Sequence, residues 1–206
     1  MKQNLNKLHA RLLEISTKHG LSHLGSCFTA LPIIYEIYSI KKPEDKFVLS
    51  SGHAGLALYV VLEHFHGVNA EQLLEKHGIH PERDLENFID VSTGSLGLGI
   101  TIASGMALTN QKINVYCLIS DGESAEGSVW ESLRFLDEIQ LTNIKIYANI
   151  NGWAAYKKVD MEKLSNRLRS FFPQVNIRLT DVNEVIQFET PLAAHYTMAN
   201  NNMIIK

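Results

Sequence analysis

Asp121 and Asn151 stand 30 residues apart, Asp121 opening an Asp-Gly turn behind one apolar run and Asn151 opening an Asn-Gly turn behind the next. Alone, each dipeptide is an ordinary turn former. As a pair they offer a carboxylate and an amide oxygen, both hard donors. With a backbone carbonyl near Trp153 and the oxygens of a diphosphate, they would complete an octahedral shell for Mg²⁺, an ion that takes few protein ligands and keeps phosphate oxygens. Ca²⁺ or Mn²⁺ would fit the same oxygen donors. The intervening chain explains how the two meet. Ile113 to Ile119 is apolar and β-prone, Ala125 to Ile139 has helical periodicity, and Ile144 to Asn149 is a second short strand. This is a βαβ unit with adjacent parallel strands, and the carboxyl ends of such strands open on one edge of the sheet, where ligands bind in α/β folds.

The segment from Ser120 to Trp153 resembles the thiamine diphosphate signature of the transketolase family, with Asp-Gly-Glu-x-x-Glu-Gly at Asp121 to Gly127 and the ligand Asn at Asn151. Ser120 replaces the family's first Gly, Asn149 stands where many relatives have Asp, and Ile150 where a first Asn is common. The resemblance therefore gives the metal role to Asp121, Asn151 and the backbone of Trp153, and not to Asn149. Further matches follow in family order from Ser22 to Tyr156. Ser22-His23-Leu24-Gly25 is similar to a Gly-His-Pro-Gly turn, Asp45 to Ala54 to a DRFVLSKGHA strand and turn, and Ser92 to Gly99 to a STGSLGQG loop carrying Leu98 for Gln. His80-Pro81-Glu82 matches a His-Pro-acid element, with Ile79 where Gly is usual.

The resemblance implies a catalytic set of His23, His53, His80 and Glu126. The histidines would meet the diphosphate and the donor sugar, and Glu126 would meet the activating Glu of a neighbouring domain at a subunit interface. His53, Gly94, Ser95, Leu96, Gly122, Glu123 and Asn151 would contact the cofactor. The physical reading agrees in part: an imidazole in a Gly- or Pro-bounded loop reaches ligands and switches charge near neutral pH, and a glycine loop feeding a helix presents N–H groups to an anion. The Glu123 carboxylate, like those of Glu131 and Glu138, reads as solvated on a helix face. Glu126 also has an ordinary explanation in the dipole of a helix start. His9, His19, His64, His66, His77 and His195 read as surface or satisfied core residues.

In the family, the carboxylate that activates the cofactor and the aromatic that stacks on its ring come from a separate pyrimidine-binding domain. At 206 residues, the chain has room for one α/β domain. The expectation is a split, thiamine diphosphate-dependent transketolase. This chain would be its diphosphate-binding (PP) half, shortened after about residue 156, where the family's Lys-Gly-Lys-Gly stretch and the following His-bearing loop are absent. A partner chain would carry the other domains in an α₂β₂ assembly acting on sugars or sugar phosphates. Two alternatives stand beside it: a subunit of a 2-oxo-acid dehydrogenase-like enzyme with the same Asp…Asn anchor, and a non-catalytic cofactor-binding or scaffolding subunit.

Strands alternating with helices predict a three-layer α/β/α sandwich with a mainly parallel sheet, the thiamine diphosphate-binding fold. The expected elements are an N-terminal helix, a helix through Tyr38, a strand at Lys46 to Leu49, helices at Gly55 to His66 and Ala70 to Lys76, and a buried helix at Ile100 to Leu108. Behind the βαβ unit come a helix at Asp160 to Arg169, a strand at Val175 to Leu179, a helix at Asp181 to Phe188 and a terminal strand at Met203 to Lys206. A net charge of −3 without a basic stripe argues against nucleic acid and acidic membranes as partners. The N-terminal stretch is amphipathic at Leu5, Leu8, Leu12, Leu13 and Ile15 rather than a signal peptide, and no run approaches the roughly 20 apolar residues of a membrane span. Cys27 and Cys117 lack CxxC spacing, which argues against a zinc site or disulfide framework and fits a reducing cytoplasm.

Overall fold

The computed structural model describes residues 2–154, 157–188, 193–200 and 202–206, and of His195 the backbone alone. Helices α1 (Lys2–His19) and α2 (Leu24–Ile40) precede strand β1 (Lys46–Leu49). Helices α3 (Gly55–His66), α4 (Ala70–His77) and α5 (Leu98–Thr109) lead to β2 (Val115–Ser120). Then come α6 (Gly127–Glu138), β3 (Ile144–Ile150), α7 (Met161–Phe171), β4 (Asn176–Leu179) and the short α8 (Ala193–Tyr196). Helix starts are set by local chemistry: the Asn69 side chain accepts from the N–H groups of Glu71 and Gln72 at α4, and Asp160 accepts from Lys163 N at α7.

The sheet is parallel throughout, in the order β1-β2-β3-β4. Its central strands are apolar on both faces because helices cover both. Phe47, Leu49, Tyr116, Leu118 and Tyr147 pack in one core with α1, α2 and α3. Val48, Val115, Cys117, Ile119, Ile146 and Ile150 pack in another with α5, α6 and α7. The result is the three-layer α/β/α arrangement. At the amino edge Asn143 Nδ2 donates to the carbonyls of Ala107, Asn110 and Ile113, and Asp45 Oδ1 accepts from Asn114 N at 2.8 Å. These bonds fasten the closed end and leave the carboxyl edge for the site.

Three expectations need correction. The helix at 98–109 is not buried all round: Gly99, Ile100, Ala103, Ser104 and Ala107 face inward, while Leu98, Ile102 and Leu108 are 49%, 40% and 41% exposed. The stretch read as a helix at Asp181 to Phe188 is one 3₁₀ turn, Val182–Glu184. Beyond it, Ile186 bridges to Ile205, and the read terminal strand reduces to that bridge and the bond from Lys206 N to Val185 O at 2.8 Å. Pairing of Ile186 with Ile205 takes the place of a continued helix, and Ile186 is buried in the core that includes side chains of α1, α2 and α3.

Candidate functional site

The glycine loop and the carboxyl ends of β1, β2 and β3 surround a cavity of about 250 Å³. It collects His23, His53, His80, Gly94, Leu96, Asp121, Gly122, Asn151 and Trp153, nine of the residues singled out in the sequence. Ser95, Glu123 and Glu126 are not among its lining residues. The cavity also takes in Ser26, Ser51, Ser120 and Asn149. The sequence carried a signal for Ser26, a polar residue three positions after His23 in an otherwise apolar helix start; Ser51 had none beyond its place in the strand-turn match.

Asp121 ends up buried, 5% exposed. Its Oδ2 accepts from the backbone N–H groups of Asn151 (3.1 Å), Gly152 (2.8 Å) and Trp153 (3.1 Å), and among the described residues Oδ1 accepts only from Gly122 N (3.0 Å). Burial outweighs these bonds and pushes the carboxyl up to about 6. Among the described residues no cationic side chain pairs with it. Asn151 Oδ1 accepts from the same Trp153 N–H, at 3.0 Å. Two oxygens of partial or full negative charge that share one donor lie side by side, an arrangement that a cation between them would relieve. Asp121 Oδ1, with one N–H bond, and Asn151 Oδ1 both keep lone pairs for that cation. The donor set of carboxylate, amide oxygen and backbone carbonyls is the hard oxygen chemistry of Mg²⁺.

Asn149 is engaged differently. Its Nδ2 donates to Thr29 Oγ1 at 2.9 Å and its Oδ1 accepts from Thr180 Oγ1 at 2.7 Å, so both ends of its amide are taken. Ser120, in the place of the usual Gly, fits without distortion: its Oγ accepts from Glu123 N at 3.4 Å and its carbonyl from Ser124 Oγ at 3.2 Å.

Across the cavity, the rings of His23 and His53 lie 5.7 Å apart. His23 occupies a left-handed conformation (φ 62°) at the start of α2. Its pKa is held below the ordinary imidazole range by burial first and by the neighbouring His80 second. Ser22 Oγ lies 3.0 Å from His23 Nδ1, and Ser26 Oγ lies 3.1 Å from His53 Nε2. Other histidines face other partners: His9 Nε2 is 3.2 Å from Phe28 O, His19 pairs with Glu71, His77 with Asp84, the His64 ring lies 5.6 Å from that of Tyr35, and the His66 ring stacks on Phe88, while the side chain of His195 lies outside the described residues.

Glu123 overturns its reading as a solvated residue. It is fully buried. Oε1 accepts from Ser50 Oγ (2.5 Å) and Gly97 N (2.9 Å), and Oε2 from Ser120 N (3.2 Å). One carboxylate thus joins the end of β1, the glycine loop and the end of β2. Burial raises its pKa, with the bond from Ser50 opposing. The residue's position within an acidic turn gave no hint of this, because two of the three partners, Ser50 and Gly97, lie in distant segments of the chain. Gly97 is held from both sides, its carbonyl accepting from Ser128 Oγ at 2.9 Å. Its φ of +79° and the 2.8 Å from its missing Cβ to Glu126 Cβ admit only glycine. Gly94, with φ +154°, lets the loop pass the His80 ring, which a Cβ would meet at 3.1 Å. Glu126 itself is exposed at the start of α6, its side chain making no capping bond to that helix.

Residues 36–171 match the transketolase thiamine diphosphate binding domain. The chain is 34% identical over 171 residues to transketolase from Pongo abelii, covering 73% of this chain and 27% of the relative. With transketolase from Mycoplasma pneumoniae the identity is 28% over 239 aligned positions, covering 95% of this chain and 37% of the relative. That alignment is longer than the 206-residue chain, so it includes positions that this chain lacks. Among solved structures, transketolase from Leishmania mexicana superposes with a TM-score of 0.67 at 17% identity, covering 95% of this chain and 34% of that one. Transketolase from Campylobacter jejuni gives 0.64 at 21%, covering 86% and 37%. These two likenesses speak for the fold alone. The chain spans 27% to 37% of the length of the two relatives compared in sequence. A match over residues 36–171 takes in well over half of the sequence, and the chain belongs to the transketolase family, of which it carries the thiamine diphosphate binding domain.

Proposed function

We propose that the chain is the diphosphate-binding half of a split, Mg²⁺-dependent transketolase, a single domain shortened after about residue 156. A pyrimidine-binding domain on a partner chain completes its active site. The observation that carries this reading is the meeting of Asp121 Oδ2 and Asn151 Oδ1 on one N–H at the carboxyl edge of the sheet. Two features support a partner. Among the described residues that line the cavity Asp121 is the one carboxylate, and the cavity's roughly 250 Å³ falls below the roughly 300–1,000 Å³ of ordinary small-molecule sites. The exposed Leu96 borders the cavity and continues into Leu98 and Ile102 of α5, apolar surface of the kind that partners cover.

Asp121, Asn151 and the Trp153 carbonyl would hold Mg²⁺, and the backbone of Gly94 to Leu96 with Gly122 would hold the cofactor itself. Bound there, thiamine diphosphate supplies the carbon nucleophile that carries a two-carbon ketol unit from a ketose to an aldose. The chain's own residues do the rest. His23, kept neutral at pH 7, accepts a proton from a sugar hydroxyl, and the neighbouring His53 and His80 bind and orient that sugar. Ser26, 3.1 Å from His53 Nε2, fixes the ring that does so. Glu126, exposed beside Gly97, stands ready for the partner's activating carboxylate. Asp121→Ala is expected to abolish Mg²⁺-dependent cofactor binding, whereas His53→Ala leaves binding within a few-fold and lowers ketol transfer by 10²–10⁴-fold. Calorimetry and a coupled transfer assay on the assembled protein check this; normal behaviour of both variants contradicts the assignment.

A further inference from the structure

We propose that Thr29 is a positioning residue that decides which end of the Asn151 amide faces the cation site, an inference that rests on the metal role given to Asp121 and Asn151. Thr29 lies on α2, 2% exposed, in a stretch whose neighbours Phe28, Ala30 and Leu31 are core residues. Its hydroxyl proton is committed, donated to Gly25 O at 2.8 Å. Only the lone pairs of Oγ1 remain, and they accept from Asn149 Nδ2 at 2.9 Å and Asn151 Nδ2 at 3.4 Å, two residues more than a hundred positions away in the chain.

Every proton in this network then has one direction. Thr180 Oγ1 donates to Asn149 Oδ1 at 2.7 Å, and Thr180 is itself anchored by its N–H to Ile150 O at 3.0 Å. Asn149 can present only its N–H₂ to Thr29, and Thr29, its proton spent on α2, can only accept. The Asn151 N–H₂ is drawn to the same oxygen, which turns Asn151 Oδ1 toward Trp153 N and the Asp121 carboxylate. Without a cation, two oxygens side by side are the poorer arrangement. An Asn151 amide free to rotate would turn its N–H₂ to Asp121, making a good hydrogen bond and placing protons where the metal belongs. The Thr29 hydroxyl opposes that rotation. Groups that orient metal ligands in this way are worth about 10–100-fold in metal affinity.

Titration of Mn²⁺ into the assembled protein in the presence of thiamine diphosphate, followed by electron paramagnetic resonance of the free ion, tests this. Thr29→Val is expected to weaken Mn²⁺ binding by about tenfold or more, and Thr29→Ser, which keeps the hydroxyl, to restore it to within about twofold of the parent protein. Unaltered Mn²⁺ affinity in a folded Thr29→Val protein overturns the proposal, as does an equal loss in Thr29→Ser. Should Thr29→Val not fold, the half-buried Thr180→Val decides: it releases the far end of the same network and is expected to weaken Mn²⁺ in the same direction, and no change there also overturns the proposal. Failure of the underlying metal reading looks different. In that case the parent protein binds no Mn²⁺, or Asp121→Ala binds it as well as the parent.

Discussion

Asp121 carries opposing demands, and they show in its titration. Four backbone N–H groups favour its charge, yet burial prevails and its carboxyl sits at about 6. A carboxyl raised in the folded state above its unfolded value of about 3.9 binds its proton more tightly when folded. Its contribution to stability is therefore full below about pH 4 and is lost as pH rises through 6, about 3 kcal/mol in all. In the cation-free protein, thermal stability should fall between pH 4 and pH 7 by an amount that Asp121→Asn removes. Comparing the two proteins by scanning calorimetry cancels the opposite trend from His23. Equal slopes would show that Asp121 is not the group responsible. Saturating Mg²⁺ with cofactor should restore the loss above pH 6, because the ion stabilises the charged form. Glu123 makes a different prediction. In Glu123→Gln the amide oxygen can serve Ser50 and Gly97, but its N–H₂ then faces the Ser120 N–H. The cost is about 1–3 kcal/mol of stability in urea unfolding, with no loss expected if the carboxylate bonds were incidental.

The elements explain which parts of the site were legible in the sequence. Asp121 and Asn151 were found because a βαβ unit leaves little choice about where its strand ends point, and the two strands pair in register from Val115↔Ile144 to Ser120↔Asn149. The strands at 46–49 and 144–150 and the helix at 55–66 were legible because each is an apolar run bounded by polar turns. Glu123, Thr29 and Ser50 were not, since a polar residue inside a motif or an apolar helix does not name its partner; only the third dimension brings Glu123 to Gly97 and Thr29 to Asn149. The C-terminal stretch misled for another reason. Val182, Ile186 and Phe188 carry an apolar spacing that a helix or a turn with an extended bridge can bury equally well, and the Ile186↔Ile205 bridge selects the latter. At this scale Gly97, where α5 begins, is constrained by both its backbone conformation and its neighbours. Gly97→Ala would combine a left-handed backbone with a collision against Ser128 and Glu126. The expected destabilisation is at least about 1 kcal/mol, measured by chemical denaturation, together with weaker cofactor binding. An unperturbed Gly97→Ala protein would mean that the loop is not held as described.

For the molecule as a whole, a cavity with one carboxylate among its described lining residues, beside an exposed apolar helix face, fits the half-site proposed above. Ile102→Asp, on the uncovered face of α5, is expected to leave the circular dichroism spectrum intact and to abolish association with the partner chain in sedimentation velocity; retained association would place the interface elsewhere. Among the described residues no helix is long and apolar enough to cross a membrane. Asp121 and Asn151 are proposed to hold a diphosphate through a divalent cation at a site shared between chains. The most direct measurement is calorimetric titration of thiamine diphosphate, with Mg²⁺ and with chelator, into the chain alone and into the chain coexpressed with a pyrimidine-domain partner. Tight binding is expected in the mixture, lost on chelation and in Asp121→Ala. Absence of binding in the mixture with Mg²⁺ present, or binding indifferent to both Mg²⁺ and Asp121, would contradict it.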